Sequence, residues 1–247
     1  MRRPWILLAT LTVLPALAQG AYLTLSPARV ELAAMPGEAF SLTTTLRNEG
    51  PREEAVTVRL APFQVREDGS VEELPLSGGL CAELRVIPTA FTLPPGGSLE
   101  VRVEGKSPEG EGTLACLVVF SGGLRIQEKG GVRLQIRPEI GLALYVTLRG
   151  TERPALRATV GGEGRSLLVL LENPGNVLQR VSGKVEVFSL EGKRVASFSL
   201  EELPVWPGGA RRLEFEPSEP LPPGEYRVVV ILESPYGRYA SEGKWAR

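Results

Sequence analysis

The chain repeats itself once. Leu46-Arg47-Asn48-Glu49-Gly50 matches Leu171-Glu172-Asn173-Pro174-Gly175 at an offset of 125 residues. Pro95-Gly96-Gly97 matches Pro207-Gly208-Gly209, and Gly112-Thr113-Leu114 matches Gly224-Glu225-Tyr226, both at an offset of 112. Turn-forming residues that recur in the same order call for two copies of one folding unit, with 13 extra residues between landmarks in the first copy. At 247 residues the chain is long enough for two domains, each with its own core.

Between these landmarks the periodicity is that of strands. The 28 Gly and 21 Pro fall as short punctuation, and beyond the first twenty residues no window keeps apolar residues at helical spacing between caps. Strands are predicted over residues 21–32 (interrupted at Pro27), 39–47, 55–65, 82–87, 91–93, 98–103, 113–120 and 132–148. In the second half they are predicted over 166–172, 184–190, 195–200, 210–216, 225–233 and after Gly237. About seven short strands per ~100 residues is the signature of an immunoglobulin-like β-sandwich, so the predicted fold is all-β, two such sandwiches in tandem. Tyr226 after Leu221-Pro222-Pro223-Gly224 resembles the corner tyrosine of these domains, whose hydroxyl ties back to the backbone. The stretch 132–148 stands next to the break at Arg149-Gly150-Thr151-Glu152-Arg153-Pro154. In it Ile140, Leu142, Leu144, Val146 and Leu148 recur at every second position, but Ala143 and Tyr145 make the other face apolar too, which predicts a strand covered on both sides.

Arg2 and Arg3, an apolar run from Trp5 to Leu14 and Ala16-Leu17-Ala18 form an export signal pattern. The expected division is a signal peptide over 1–18, a first domain over 19–149 and a second over 150–247. The apolar run is shorter than the ~20 residues of a membrane span, and no later segment could serve as one, so the mature protein is expected to be exported and soluble. Removing residues 1–18 leaves 26 basic and 29 acidic residues without a basic run, which argues against nucleic acid as a partner. Cys81 and Cys116 are candidates for one disulfide, the pairing favoured by an even count in an exported chain, with two buried thiols as the alternative.

Catalytic chemistry is poorly provided for. The chain has no histidine, which removes histidine-based nucleophile triads and imidazole metal sites. Gly105-Lys106-Ser107 lacks the earlier glycine of a phosphate-binding loop, since position 100 is Glu100. It and Gly162-Glu163-Gly164 read as turns. Glu53-Glu54, Glu72-Glu73 and Glu201-Glu202 point to opposite strand faces within each pair and read as solvated charges. No catalytic residue, metal ligand or cofactor site is expected.

Several motifs of the first half, in order, resemble the periplasmic chaperones of the chaperone-usher pathway. They are Leu25-Ser26-Pro27-Ala28-Arg29-Val30, Leu46-Arg47-Asn48, the run from Arg85-Val86-Ile87-Pro88 to Leu93-Pro94-Pro95-Gly96, and Leu142-Ala143-Leu144-Tyr145-Val146. The resemblance implies that the last strand of the first domain is lent to an incomplete fimbrial or pilus subunit, with Ile140, Leu142, Leu144 and Val146 as the lent side chains. It also implies that two basic residues in the cleft between domains grip the subunit's terminal carboxylate. Arg29 falls on the first position. Alignment places Gly141 on the second, and Arg137 is the nearest substitute. An outer-membrane usher would be the second partner, and the exposed edge invites pairing with another copy of the chain. The rival expectation is a structural or adhesive envelope protein built from tandem modules.

Overall fold

The computed structural model describes residues 23–129, 132–162 and 164–247. The expected export signal, residues 1–18, lies outside them. In the first half the strands are β1 (Leu23–Ser26), β2 (Arg29–Ala34), β3 (Ala39–Asn48), β4 (Glu54–Ala61), β5 (Phe63–Val65), β6 (Val71–Glu73), β7 (Leu84–Ile87), β8 (Ala90–Leu93) and β9 (Ser98–Lys106). They continue with β10 (Thr113–Ser121), β11 (Arg125–Lys129), β12 (Val132–Ile136) and β13 (Glu139–Leu148). Two sheets pack together, in the orders β1-β3-β9-β7 and β2-β13-β10-β4-β8. Leu46, Val101 and Val103 of one sheet meet Val118, Phe120, Leu142, Leu144 and Val146 of the other, all with no exposed surface.

Pro27 divides the first predicted strand between the sheets. β1 pairs antiparallel with β3, whereas β2 pairs in parallel with β13; a residue without an N–H is a natural place to leave a ladder. Proline divides two other predicted strands. The stretch 55–65 breaks at Pro62 into β4 and β5, and 132–148 breaks at Arg137-Pro138 into β12 and β13. Gly105, expected in a turn, lies within β9. Cys81 and Cys116 are joined in a disulfide that ties the short 3-10 turn Leu80–Glu83 to the central strand β10.

The second half holds β14 (Arg157–Gly161), β15 (Leu167–Glu172), β16 (Gln179–Phe188), β17 (Arg194–Val205), β18 (Ala210–Phe215), β19 (Glu225–Ser234) and β20 (Gly237–Ala246). Its sheets run β14-β15-β18 and β17-β16-β19-β20 around Leu167, Val169, Leu171, Val185, Val187, Val228, Val230 and Trp245. β14, absent from the predicted strands, is short and only partly buried. The Tyr226 hydroxyl donates to the Pro222 carbonyl at 2.7 Å, the corner expected from sequence.

The repeat has a physical basis in two buried asparagines. Asn48 Nδ2 donates to the carbonyls of Arg52 (2.7 Å) and Leu93 (3.0 Å), and its Oδ1 accepts from Gly50 N–H (2.9 Å). Asn173 Nδ2 donates to Val177 (2.8 Å) and Val205 (3.0 Å), and its Oδ1 accepts from Gly175 N–H (3.1 Å). The same backbones exchange N–H···O bonds with Gly96 and Gly97, and with Gly208 and Gly209. Each side chain satisfies polar groups that no ladder reaches. Asn48→Ala or Asn173→Ala is expected to strand these buried groups and cost on the order of 3 kcal/mol. Denaturant unfolding checks this, and a loss under 1 kcal/mol would contradict it.

Candidate functional site

Two neighbouring features stand out: a hairpin that leaves the first domain and a charged cleft between the two halves. The hairpin is β11–β12, a two-stranded sheet of its own. Its apolar side chains are open to solvent: Leu124 54%, Ile126 50%, Val132 57%, Leu134 48% and Ile136 41% exposed. Val132, Leu134 and Ile136 alternate with Arg133, Gln135 and Arg137, so they share one face. Ile126 is registered against Gln135 and lies on the other face. The paired hairpin therefore carries three exposed apolar side chains on one face and Ile126 on the other.

Carboxylates hold the root of this hairpin. Glu54, expected to be a solvated charge, is only 4% exposed; it accepts the Gly123 N–H at 2.7 Å and pairs with the Arg125 guanidinium. On the other strand Glu139 accepts from Ser121 Oγ at 2.6 Å and from Arg59 at 3.2 Å. A β-carbon on Gly122 would fall 2.6 Å from Glu54 Oε1, so only glycine lets the carboxylate reach the turn.

The expected lent side chains sit elsewhere. Leu142, Leu144 and Val146 have no exposed surface and Ile140 packs against the same core, so they fill this domain's own interior. This corrects the expectation: side chains fixed in a native core cannot enter another protein's groove without unfolding their own. The same strand does have a free edge. β13 pairs with β10 along one side, but β2 covers its other side only from Ala143 to Leu148. From Glu139 to Leu142 that edge has no strand partner among the described residues, and it continues into β12.

The covered part begins at Arg29, which is registered against Ala143, with Glu31 against Tyr145. These four residues share the face turned toward the second half, where Phe63, Val65 and Tyr145 pack with Leu178 and Trp206. The ring centroids of Phe63 and Trp206 are 5.2 Å apart, and those of Tyr145 and Trp206 6.3 Å. Burial raises the Tyr145 phenol above its ordinary pKa, the Arg180 guanidinium opposing this. Arg180 stacks 5.2 Å from the Tyr145 centroid. Gly112 approaches so closely that a β-carbon there would lie 2.0 Å from the Asn176 carbonyl oxygen. Thr113 N–H donates to that oxygen at 2.8 Å.

Four charges cross the cleft. Arg180 on β16 bonds Glu31 on β2 (Nε to Oε1, 2.9 Å), and Arg29 on β2 pairs with Glu202 on β17 at 3.2 Å. Arg137 takes no part. It is exposed beyond the far end of β13, six residues before Ala143, which at ~3.3 Å per residue puts it about 20 Å from Arg29. Arg29 and Arg137 therefore cannot grip one carboxylate.

Sequence reasoning missed Val132, Leu134, Ile136, Arg180 and Glu54. The first three were legible: polar residues alternate with them, whereas Ala143 and Tyr145 between the chosen leucines mark a strand covered on both faces. Arg180 and Glu54 had no local signal, since their partners are distant in sequence.

The fold is that of fimbrial chaperones. The class 5 fimbriae chaperone CfaA superposes with a TM-score of 0.52 at 13% identity, over 89% of this chain and 98% of that one. A chain from a study of the chaperone–tip adhesin complex in CFA/I fimbriae biogenesis gives 0.52 at 12% identity, over 89% and 97%. No protein-family model matches the sequence, and no curated protein matches it. The resemblance first visible in the motifs of the first half thus extends, as a likeness of fold, through the second.

Glu54→Gln removes the charge that holds the hairpin root. Loss of a charge-assisted bond of ~1.5–3 kcal/mol is expected to speed amide exchange over residues 123–129 and 132–136 about tenfold or more, with little change in β10. Unchanged exchange would refute the clamp. A second check concerns the β5–β6 hairpin, which carries Phe63 to Trp206. Hydrogen bonds from Arg66, then Gln64, lower Glu72 from 4.5 to about 2. Its folded pKa is depressed, so the stabilisation is complete above pH 4.5 and is lost as pH falls toward 2. A carboxyl NMR titration should place the Glu72 midpoint near 2, and Glu72→Gln should abolish this part of the acid dependence.

Proposed function

We propose that this protein is a periplasmic, non-enzymatic and ATP-independent chaperone that holds fimbrial or pilus subunits by strand complementation and delivers them to an outer-membrane usher. On this reading residues 1–18 are a signal peptide, and 19–149 and 150–247 are the two domains. The observation that carries it is the exposed edge of β12 and the start of β13, with Val132, Leu134 and Ile136 alternating along it. Unpaired strand backbone beside exposed apolar side chains is an aggregation hazard, and a client that lacks one strand of its sandwich turns the same groups into ladder bonds and groove contacts. The lent side chains are then Val132, Leu134 and Ile136 rather than those of the buried half of β13.

Arg29 sits where β2 closes that edge. A client strand paired along the edge and running parallel to β13 ends against Arg29 with its carboxylate, which suits a guanidinium. Fold likeness to a class 5 fimbriae chaperone supports the reading. Among the described residues no helix is long and apolar enough to cross a membrane, and no group of three or more His, Cys, Asp or Glu is placed to hold a metal ion. A purely structural tandem-module protein has no need of a clamped hairpin whose exposed apolar side chains run along an open strand edge.

The test is co-expression of the chain with a fimbrial subunit that lacks its final strand. Leu134→Asp is expected to leave the fold intact and abolish a one-to-one complex, whereas Leu144→Asp should fail to fold. Survival of the complex in Leu134→Asp and Ile136→Asp alike would sink the proposal.

A further inference from the structure

Arg180 and Glu31 form an arrangement with more binding capacity than the free protein uses. Glu31 Oε1 receives three cationic nitrogens: Arg180 Nε at 2.9 Å, Arg180 Nη2 at 2.7 Å and Arg29 Nε at 3.6 Å. The site is asymmetric. The Arg180 side chain is only 10% exposed and stacks on Tyr145, whereas Arg29 is 53% exposed. Arg180 Nη2 is buried and close to Glu31 but off the line of a hydrogen bond, so it is left without an aligned acceptor. A buried donor left in this way lacks stabilisation that a better-placed oxygen would supply. Beside Arg29 the floor is Ala143, and next along the same face is Gly141, where a β-carbon would meet nothing closer than 3.5 Å. Ala143 and Gly141 thus put nothing larger than a methyl group beside Arg29 on that face.

We infer that Glu31 is a resident carboxylate occupying a two-arginine site, and that Arg180, from the second half of the chain, is the second cationic anchor for an incoming carboxylate that displaces it. The inference rests on the chaperone reading and adds its control. The cleft already balances two guanidiniums with Glu31 and Glu202. A third carboxylate would leave the cluster net negative unless one of its own withdraws. Glu31 is 41% exposed on an edge strand and can turn to solvent. Arg180 is pinned by the Tyr145 ring and stays. The free protein's cleft is thus held shut to weak anions and opens to a carboxylate that also brings strand pairing along β13. Withdrawal of Glu31 breaks one of the ion pairs that cross between the halves, so client binding is coupled to their attachment.

The test uses the mature chain with N-acetylvaline, a minimal free carboxylate, and N-acetylvalinamide as the uncharged control. Binding is followed through the arginine Nε–H resonances. N-acetylvaline should shift the Arg180 and Arg29 resonances, and the amide should not. Glu31→Gln should tighten N-acetylvaline at least threefold, and Arg180→Gln should weaken it at least fivefold. Arg180→Lys, which keeps the charge and loses the planar fork, should fall between, with thermal melts reporting whether each variant is folded. If Glu31→Gln weakens binding or leaves it unchanged, Glu31 merely orients Arg180 and the inference fails. A shift of Arg29 alone, or tightening only by Glu202→Gln, also overturns it. Leu134→Asp, aimed at client strand pairing, should leave N-acetylvaline binding unchanged, so the two ideas fail separately.

Discussion

From Ala143 to Leu148 the outer edge of β13 is hydrogen-bonded in parallel to β2, and from Glu139 to Leu142 it has no strand partner among the described residues. Much of what the molecule presents follows from where that pairing begins. β2 can reach this edge only because the chain changes sheets at Pro27. By covering the second half of β13, β2 lets Leu144, Val146 and Leu148 settle into a closed core, and by stopping at Arg29 it leaves the first half open. The register then sets Arg29 and Glu31 beside Ala143 and Tyr145, on the face turned to the second domain. One pairing fixes the closed core, the open edge and the charges at its end.

The division of labour along residues 132–148 shows what sequence can and cannot reveal. Its location as the end of the first sandwich was legible, and so was the apolar periodicity. What period two does not say is which face meets which neighbour. The resemblance assigns lending to Leu142 and Leu144, but the alternate residues Ala143 and Tyr145 are covered by the second domain and the leucines by the first domain's other sheet. Val132, Leu134 and Ile136 alternate as well, with charged and amide residues between them, and Pro138 cuts them from the core strand. Proline was the informative residue at all three places where a predicted strand divides.

The repeat was legible for a different reason. Asn48 and Asn173 bond groups within their own turns and to the strand end that lies 45 and 32 residues further on, so the turn motifs Asn-x-Gly and Pro-Gly-Gly recur with the geometry that needs them. No comparable local rule marks Arg180, Glu54 or Gly112. Their meaning lies in partners 149, 69 and 64 residues away, the last being Asn176, and contact across such distances leaves no period in the sequence.

Gly112 bears on how the molecule would move. With the Asn176 carbonyl filling the space of a side chain and bonded to Thr113 N–H, the two sandwiches meet at a backbone-to-backbone seam rather than across a flexible tether. Side chains can change rotamer at little cost, but such a seam cannot slide without breaking its hydrogen bond. Such a contact resists sliding more than rocking, which favours a nearly constant separation between the open edge and the second half. A ligand that spans both meets a ruler already set to length, and little orientational freedom remains to be lost when it docks.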